Sequence, residues 1–501
     1  MAALFDGREQ PKPHFVVVPL MAQGHMIPMA DLALLLASRG ARVSLITTPV
    51  NANRLRAAAD QAKASGLALR LVELPLPCDA AGLPEGCENV DLIPRTDLYL
   101  PFFKSLNLLA DPLKGYLIAQ PPGPTCIISD QCMPWTMGVA GELGIPRYVF
   151  HGPSCFFLLC TLKLAVHKVY EKVTDVCESF SVPELPQRIE ANKMTAQRFF
   201  DWGGMEDVLR HVQEADESAD GIVLNTFYEL EKWFVDEYRR MVGKEVWPVG
   251  PVSLFHKDAG GKAVRGNGSS AVDHGSVLKW LEEREAGSVL FVSFGSLART
   301  LKRQLVEIGS GLEASGVSFV WAVKEAEQDG EVEAWLTEYT ERNGEKGLMI
   351  RGWVPQVLIL THPAVGGFMT HCGWNSTLEA VAAGVPMVTW PHFADQFLNA
   401  KLVVEVLRTG VGIGVEFPAF YPSAAEAVVV ERDEVEAAVV SVMGGGGRQE
   451  GEEMRKRAKE LGEKARKAME KGGPSYESLT QLIEHSITLA GNGKQAQKQL
   501  F

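Results

Sequence analysis

The chain alternates short runs of β-branched residues with segments of helical periodicity, and this alternation limits the fold more than any other feature. The run from His14 to Leu20 is typical of a buried parallel strand; an apolar helical pattern from Met29 to Ser38 and a second strand from Arg42 to Thr48 follow. Strand, helix and strand in this order generate a parallel sheet. Comparable strand runs recur at 125–130, 147–150 and 221–226. The first half is therefore predicted to be an α/β domain.

A polar segment separates this half from a second one of similar layout. Residues 256–275 are rich in Gly, Ser, Lys, Asp and Asn and bury too little apolar surface to order themselves. The alternation then resumes, with strand runs at 288–294 and 317–323 on either side of a helical pattern. We predict three regions: an N-terminal domain over 1–255, a flexible linker over 256–275 and a second α/β domain over 276–473.

Composition excludes several classes of protein. The 501 residues include 62 acidic and 49 basic ones, a net charge of -13, which argues against a nucleic-acid partner or binding to an anionic membrane. No apolar run approaches the roughly 20 residues of a membrane span, and the N-terminal residues lack a secretory signal pattern. The eight cysteines include no Cys-x-x-Cys pair. We expect a monomer in the cytosol without stable membrane insertion.

Two predicted strands are followed by residues suited to proton transfer. The loop after the first strand lacks the Gly-x-Gly-x-x-Gly of a dinucleotide site but contains His25. An unperturbed imidazole has a pKa of about 6.5, so this side chain could act as a base. Asp130 ends the run 125–130. Because parallel strands end at one edge of a sheet, its carboxylate could orient the imidazole, although an N-cap would explain Asp130 equally well.

The segment 353–396 has the densest set of candidate ligand contacts. Trp353 follows a strand and offers an indole for stacking on a planar ring. His371 begins a tight turn into a helix whose first N–H groups can hold phosphate, and Asn375 and Ser376 add side-chain donors. Glu379, one helical turn later, could accept from two ribose hydroxyls. One segment thus offers contacts for a base, a ribose and a pyrophosphate.

Further residues extend this site. Asp395 and Gln396 follow another strand and suit sugar hydroxyls, and Ser296 lies at a strand-to-helix turn where it could grip a phosphate. Taken singly, each has a structural alternative, such as core packing for Trp353 or an N-cap for Asp395. A metal is not expected, because the chain has no second ligand pair beside His371-Cys372 and no Asp-x-Asp. A Gly-x-Ser-x-Gly hydrolase motif is also absent.

Together these residues resemble the complete signature box of plant secondary-metabolite UDP-glycosyltransferases, which would run from Trp353 to Gln396. The framework residues of the box stand at family spacing: Pro355, Gln356, His362, His371, Gly373, Trp374, Asn375, Ser376, Glu379, Gly384, Pro386, Pro391, Asp395 and Gln396. The segments 21–28 and 44–51 resemble one plant branch that acts on flavonoids, phenolics, triterpenoids and steroids.

The resemblance implies the GT-B fold, an α/β architecture of two Rossmann-like parallel-sheet domains facing across a cleft. The first domain would hold the acceptor and the second the sugar nucleotide, and a C-terminal helix at about 474–490 would pack back on the first. His25 would be the catalytic base and Asp130 its partner. UDP-glucose would be a co-substrate, with no cofactor or metal required.

The resemblance also implies roles for individual donor-site residues. Trp353 would stack on uracil, Glu379 would hold the ribose, and Gln396 would favour glucose. The full donor set is Ser296, Trp353, Val354, Gln356, His371, Trp374, Asn375, Ser376, Glu379, Asp395 and Gln396. The proposed apolar acceptor wall consists of Phe103, Phe150, Phe156, Phe199, Phe200, Met205 and Phe393.

The function expected from these features is inverting O-glucosylation of a small apolar plant metabolite, a flavonoid, other phenolic, triterpenoid or steroid. Two alternatives are compatible with the same fold. One is a non-catalytic protein that binds a UDP-sugar, and the other is a different GT-B enzyme such as a sugar-nucleotide epimerase or a lipid-linked glycosyltransferase.

Overall fold

Two parallel sheets organise the chain in the computed structural model. The structure describes residues 12–198, 200, 201, 203–266, 274–297, 301–323, 330–418, 430–444 and 449–499. The strands are β1 His14–Val18, β2 Arg42–Thr47, β3 Leu69–Glu73, β4 Cys126–Asp130, β5 Arg147–His151, β6 Phe180–Ser181, β7 Glu190–Ala191, β8 Gly221–Leu224, β9 Val246–Pro248, β10 Val289–Ser293, β11 Ser318–Val323, β12 Gly347–Arg351, β13 Val365–Thr370, β14 Met387–Thr389 and β15 Gly410–Gly412.

The two large sheets have corresponding strand orders, so the two halves of the protein have the same layout. The N-terminal sheet has the order β3-β2-β1-β4-β5-β8-β9 and the C-terminal sheet β12-β11-β10-β13-β14-β15, while β6 and β7 form a separate antiparallel pair. Neighbouring strands within each large sheet are parallel. The predicted α/β class with two Rossmann-like sheets is confirmed.

Helices cover both faces of these sheets. They are α1 Gln23–Ser38, α2 Pro49–Ala64, α3 Tyr99–Ser105, α4 Ala110–Ile118, α5 Thr136–Leu143, α6 Cys155–Val166, α7 Val169–Lys172, α8 Glu206–Ser218, α9 Tyr228–Val242, α10 Ala259–Val264, α11 His274–Glu282, α12 Lys302–Ser315, α13 Gly330–Asn343, α14 Gln356–Leu360, α15 Trp374–Ala383, α16 Gln396–Lys401, α17 Arg432–Met443, α18 Gln449–Met469 and α19 Pro474–Gln499. Within the described ranges, none of them combines the length and apolar character needed to cross a bilayer.

The central strands are buried on both faces, which is why they are continuous apolar runs. All five residues of β1 are buried, and its neighbours β2 and β4 are parallel to it. The register pairs Val18 with Ser129 and Asp130 with Phe150, so β1, β4 and β5 end at the same edge. In parallel sheets this edge is where ligands bind. The residues that follow β1 and β4 are therefore brought together.

The long C-terminal helix α19 lies against the N-terminal sheet. Ser475 at its start donates a hydrogen bond of 2.6 Å to the carbonyl of Gly250. Further along, the ring of His485 is hydrogen-bonded at 2.8 Å to the hydroxyl of Tyr148 on β5. Helix α19 therefore joins the end of the chain to its first half.

The first part of the predicted flexible linker, 256–275, is packed against α1 in the structure. His256 is 3% exposed, and its Nε2 lies 2.8 Å from Oδ1 of Asp31 on α1. Helix α10 follows, and the guanidinium of Arg265 is buried between two carboxylates. Charge pairing orders this segment although it has few apolar residues. Residues 267–273 of the predicted linker lie outside the described part of the chain.

Candidate functional site

A cavity of about 960 Å³ lies between the two sheets and is lined by residues of both halves. This volume is near the upper end of the range of about 300–1,000 Å³ for small-molecule sites. The predicted site residues on its walls are His25, Ser296, Trp353, Val354, Gln356, His371, Trp374, Asn375, Ser376, Glu379, Asp395 and Gln396. The structure thus brings together residues that are far apart in the sequence.

His25 and Asp130 form a hydrogen-bonded pair at the N-terminal side of this cavity. Helix α1 begins at Gln23, earlier than the sequence pattern predicts, so His25 lies in its first turn. Its Nδ1 is 2.7 Å from Oδ2 of Asp130, whose side chain is fully buried. Oδ1 of that carboxylate accepts from the N–H of Cys132 at 2.8 Å. A carboxylate only accepts, so Nδ1 carries the proton and the imidazole lone pair is on Nε2.

The carboxylate of Asp130 also raises the pKa of the His25 imidazole. Burial lowers the pKa of His25, but the charge and hydrogen bond of Asp130 outweigh this effect and raise the pKa above its ordinary value of 6.5. The negative charge of Asp395 acts in the same direction. The pair is therefore suited to accept a proton and to stabilise the resulting imidazolium.

One group of three side chains among the described residues has the spacing of a metal site. Ligand atoms of His25, Asp130 and Cys132 lie within 4.8 Å of one another. Burial raises the pKa of the Cys132 thiol well above its ordinary value, whereas metal binding requires the thiolate. The imidazole of His25 and the carboxylate of Asp130 are already joined by a direct hydrogen bond of 2.7 Å.

A contact across the cleft follows from the proline in α1. Pro28 has no N–H, so the carbonyl of Gly24, four residues earlier, lacks its helical partner. That carbonyl accepts a hydrogen bond of 2.6 Å from Nδ2 of Asn375 on α15. The first turns of α1 and α15, which carry His25 and the predicted phosphate donors, are thereby held together.

The start of α15 has the geometry of an anion site. The N-cap residue is Gly373, which has no side chain to bond the first helical N–H groups. The preceding Cys372 has a φ of +62°, which turns the chain sharply after β13. Backbone N–H groups and the positive end of the helix dipole therefore face the cavity, as in known phosphate sites.

The ring of His371 packs closely against two glycines beside the start of α15. A Cβ on Gly295 or on Gly373 would lie 2.6 Å or 2.5 Å from the imidazole ring. Burial, with a smaller contribution from His392, lowers the pKa of His371 to about 3. The ring is therefore neutral and can donate one hydrogen bond to an anion without adding charge.

Trp374, a residue of the predicted donor set, bonds to the N-terminal half of the protein through its side chain. It is 3% exposed, and its indole N–H donates a hydrogen bond of 2.7 Å to the carbonyl of Asn225. The side-chain amide of Asn225 lies 3.4 Å from Oδ1 of Asn375. The indole therefore joins the two halves of the protein.

Glu379 lies one turn into α15 and is already held by two donors. Nε2 of Gln356 donates to its Oε2 at 2.7 Å, and Nη1 of Arg265 donates to its Oε1 at 2.5 Å. Trp353 is partly exposed on the same wall of the cavity. Sequence reasoning missed Arg265, because it belongs to a segment whose composition predicts disorder.

Asp395 and Gln396 close the cavity beside α16. Burial raises the pKa of Asp395 to about 6, while Nδ2 of Asn399 holds its Oδ2 at 2.7 Å. Oε1 of Gln396 accepts from the N–H groups of His392 and Phe393, which leaves the Nε2 amide as a donor. The two side chains thus present one acceptor and one donor. In the sequence, the only feature that points to Asn399 is its position one helical turn after Asp395.

The residues predicted to form the acceptor wall lie in different places in the structure. Phe200 and Phe393 line the cavity, whereas four others are buried in the cores instead: Phe103, Phe150, Phe156 and Met205. Phe199 lies outside the described residues. The alternation of β5 points His151 at the cavity and Phe150 away from it. The apolar part of the cavity lining includes one face of α6, and the helical spacing of its residues could have revealed it. These residues are Phe157, Leu158, Thr161, Leu162 and Ala165.

Two family models match the chain. Residues 14–254 match the glycosyltransferase N-terminal domain, and residues 274–418 match the family described as UDP-glucoronosyl and UDP-glucosyl transferase. Similar curated proteins include UDP-glycosyltransferase 73C3 of Arabidopsis thaliana, 44% identical over 96% of this chain and 97% of that protein. UDP-glycosyltransferase 73E1 of Stevia rebaudiana is 45% identical over 94% of this chain and 95% of its own length.

Solved structures give the same result. The UGT73P12 of Glycyrrhiza uralensis, complexed with glycyrrhetinic acid 3-O-monoglucuronide, superposes with a TM-score of 0.87 at 34% identity and covers 98% of both chains. The UGT71G1 of Medicago truncatula, complexed with UDP-glucose, has a TM-score of 0.76 at 26% identity and covers 95% of this chain and 98% of its own. With these matches over nearly its whole length, the chain belongs to the plant UDP-glycosyltransferases, enzymes that transfer a sugar from a UDP-sugar to a small molecule.

Proposed function

We propose that this enzyme transfers glucose from UDP-glucose to a hydroxyl of a small apolar plant metabolite, a flavonoid or other phenolic, a triterpenoid or a steroid, with inversion at the anomeric carbon. The observation that carries the proposal is the 2.7 Å pair of His25 and Asp130 in the same cavity as the uncapped start of α15. A base and an anion site that share one cavity suit a single displacement.

In the proposed reaction the acceptor hydroxyl loses its proton to Nε2 of His25 as its oxygen attacks the anomeric carbon. The new carbon–oxygen bond forms as the bond to UDP breaks, and UDP leaves with that electron pair. The charge of Asp130 stabilises the imidazolium. Attack opposite the leaving group inverts the configuration, and no covalent sugar–enzyme intermediate is needed.

The departing diphosphate would be stabilised by neutral donors and the dipole of α15. These donors would be the helical N–H groups, the imidazole of His371 and the side chains of Ser296, Asn375 and Ser376. Donors fixed by the fold need no reorganisation when charge develops, so the proposal includes no metal and no cofactor.

The rest of the donor would lie along the C-terminal wall. Trp353 would stack on uracil, and the carboxylate of Glu379 would accept from the ribose hydroxyls. Asp395 and the Nε2 amide of Gln396 would bind sugar hydroxyls as acceptor and donor. The support for glucose in particular is the glutamine at position 396, which the family resemblance associates with that sugar.

The apolar face of α6 supports an apolar acceptor. Phe157, Leu158 and Leu162 lie on the cavity wall with Phe200. Two structural relatives were solved with small organic compounds: the Glycyrrhiza enzyme with glycyrrhetinic acid 3-O-monoglucuronide, and the UGT89C1 of Arabidopsis thaliana, 28% identical to this chain, with quercetin. These ligands define the first compounds to test.

The direct test incubates the protein with UDP-glucose and a panel of flavonoids, simple phenols, triterpenoids and steroids. Mass spectrometry should find one added hexose, and the coupling constant of the anomeric proton should show the β-linked product. A retained α linkage would refute the inverting mechanism. Absence of hexose transfer to every class would refute the acceptor proposal.

The variant His25→Ala tests the base. We expect turnover to fall by roughly 10² to 10⁴-fold, because general base catalysis is lost. Calorimetry should still find UDP bound, since the nucleotide would contact the other wall. Turnover equal to that of the wild type would remove His25 from the mechanism.

A further inference from the structure

Arg265 joins the two halves of the protein through buried ion pairs. Its Nε donates to Oδ2 of Asp31 at 2.7 Å, and its Nη1 donates to Oε1 of Glu379 at 2.5 Å. The side chains are 8%, 3% and 5% exposed. Removing one partner of such a buried pair leaves an uncompensated charge, so each of the three groups depends on the other two for charge compensation.

The two carboxylates belong to the two helices that carry the chemistry. Asp31 lies on α1, which also carries His25 in its first turn, and Glu379 lies on α15. The planar guanidinium holds both carboxylates in fixed directions, which a lysine ammonium does less well. Arg265 therefore connects the helix of the base to the helix of the predicted ribose contact.

The carboxylate of Glu379 has acceptor positions left for the hydroxyls of a ribose. An ionised carboxylate has about four acceptor positions. Within the described residues, Arg265 occupies one on Oε1 and Gln356 occupies one on Oε2. One position remains on each oxygen, and a ribose presents two neighbouring hydroxyl donors, at its 2′ and 3′ carbons.

The residue after Arg265 is packed against the predicted uracil site. A Cβ on Gly266, which has a φ of +90°, would lie 2.6 Å from the Trp353 ring and 2.7 Å from Ile27. The backbone of the linker thus fills the space between α1 and the indole. This close packing fixes where the guanidinium enters the cavity.

We propose that Arg265 is a positioning residue for the nucleotide ribose. It holds the Glu379 carboxylate turned so that its two remaining acceptor positions face the 2′ and 3′ hydroxyls, and through Asp31 it ties this contact to the helix of His25. The inference rests on the proposed role of Glu379 in binding ribose.

The test compares UDP with 2′-deoxy-UDP, because a residue that acts through the ribose contact changes the preference between them. By calorimetry, the wild type should bind UDP about tenfold more tightly, the value of one hydrogen bond to a charged group. In Arg265→Met the preference should fall to about threefold or less, and Arg265→Lys should restore part of it.

A matched control comes from the same cavity. Arg54 also lines it and pairs with a carboxylate at 2.8 Å, but its partner is Asp91 instead of Glu379. Arg54→Met should keep the wild-type preference for UDP. If Arg265→Met does not fold, as judged by thermal unfolding, Asp31→Asn replaces it and should reduce the preference in the same direction.

The outcomes separate this inference from the proposed function. If the folded Arg265→Met or Asp31→Asn variant binds both nucleotides with the wild-type ratio, Arg265 has only a structural role and the inference is wrong. If Glu379→Gln keeps the wild-type ratio, Glu379 does not bind the ribose and the donor geometry of the proposed function is wrong. Loss of the ratio in both the Glu379 and Arg265 variants, with Arg54→Met unchanged, supports the inference.

Discussion

Replacing Asp130 by Asn tests how the buried carboxylate controls His25. In the native protein Oδ1 of Asp130 accepts from the N–H of Cys132, and Oδ2 accepts from Nδ1 of the imidazole. An asparagine keeps its carbonyl oxygen on the N–H of Cys132 and turns its NH₂ group towards His25. Nδ1 must then accept, so the proton moves to Nε2 and the lone pair needed for the reaction is lost.

The size of the effect follows from two contributions. A hydrogen bond to a charged group stabilises by about 1.5–3 kcal/mol, so loss of the negative charge beside the imidazolium slows the reaction about 10- to 100-fold. The unfavourable tautomer adds to this loss. We expect kcat to fall by roughly 10² to 10⁴-fold in Asp130→Asn.

The assay is glucosyl transfer to an accepted phenol, followed by chromatography, with UDP affinity measured by calorimetry. The Kd of UDP should stay within about twofold, because Asp130 lies behind the base and does not line the cavity. Asp91→Asn is the control, since Asp91 is a carboxylate of the same cavity that pairs with Arg54 instead. A kcat within about threefold of the wild type would refute the tautomer argument.

The pH profile checks the same pair. The base acts when it is neutral, so kcat/KM should rise with pH through the pKa of His25. The midpoint should lie above 6.5, because the raised pKa keeps the imidazole protonated to a higher pH. In Asp130→Asn the residual activity should have a lower midpoint, because burial then acts without the carboxylate charge. A wild-type midpoint below 6.5 would contradict this account.

Two further predictions concern the donor wall. Gly295→Ala would place a methyl group 2.6 Å from the ring of His371, so we expect the UDP affinity measured by calorimetry to fall about tenfold or more. The control is Gly287→Ala, which also has a positive φ but no atom within 4 Å of the added methyl group, and it should bind UDP as the wild type does. Asn399→Ala removes the amide that holds Asp395, so UDP-glucose should bind about tenfold more weakly while UDP changes little. Equal weakening of both ligands would assign Asn399 to folding instead of sugar recognition.

Much of the site could be predicted because its residues are local in sequence. His371, Asn375, Ser376 and Glu379 lie within one strand-to-helix connection, so backbone geometry alone places them together. The pairing of His25 with Asp130 was also predictable, since parallel strands end at one edge of a sheet.

The acceptor wall was harder to predict because apolar residues fill both cavities and cores. Phe156 and Phe157 are neighbours on α6, yet Phe156 packs against Phe234 with ring centroids 5.0 Å apart, while Phe157 lines the cavity. A sequence shows that both are apolar but not which side of the helix is covered. That choice depends on where α9 packs.

The amino-acid sequence alone determined the parallel α/β architecture and was enough to predict the donor box and the base, because strand alternation, helix starts and short motifs depend on neighbours along the chain. The contacts between the halves arise from packing. Arg265 reaches Asp31 and Glu379, and Asn375 reaches the carbonyl of Gly24, over separations of more than a hundred residues. No local pattern encodes such pairs, because burial and charge compensation exist only after the two sheets have come together.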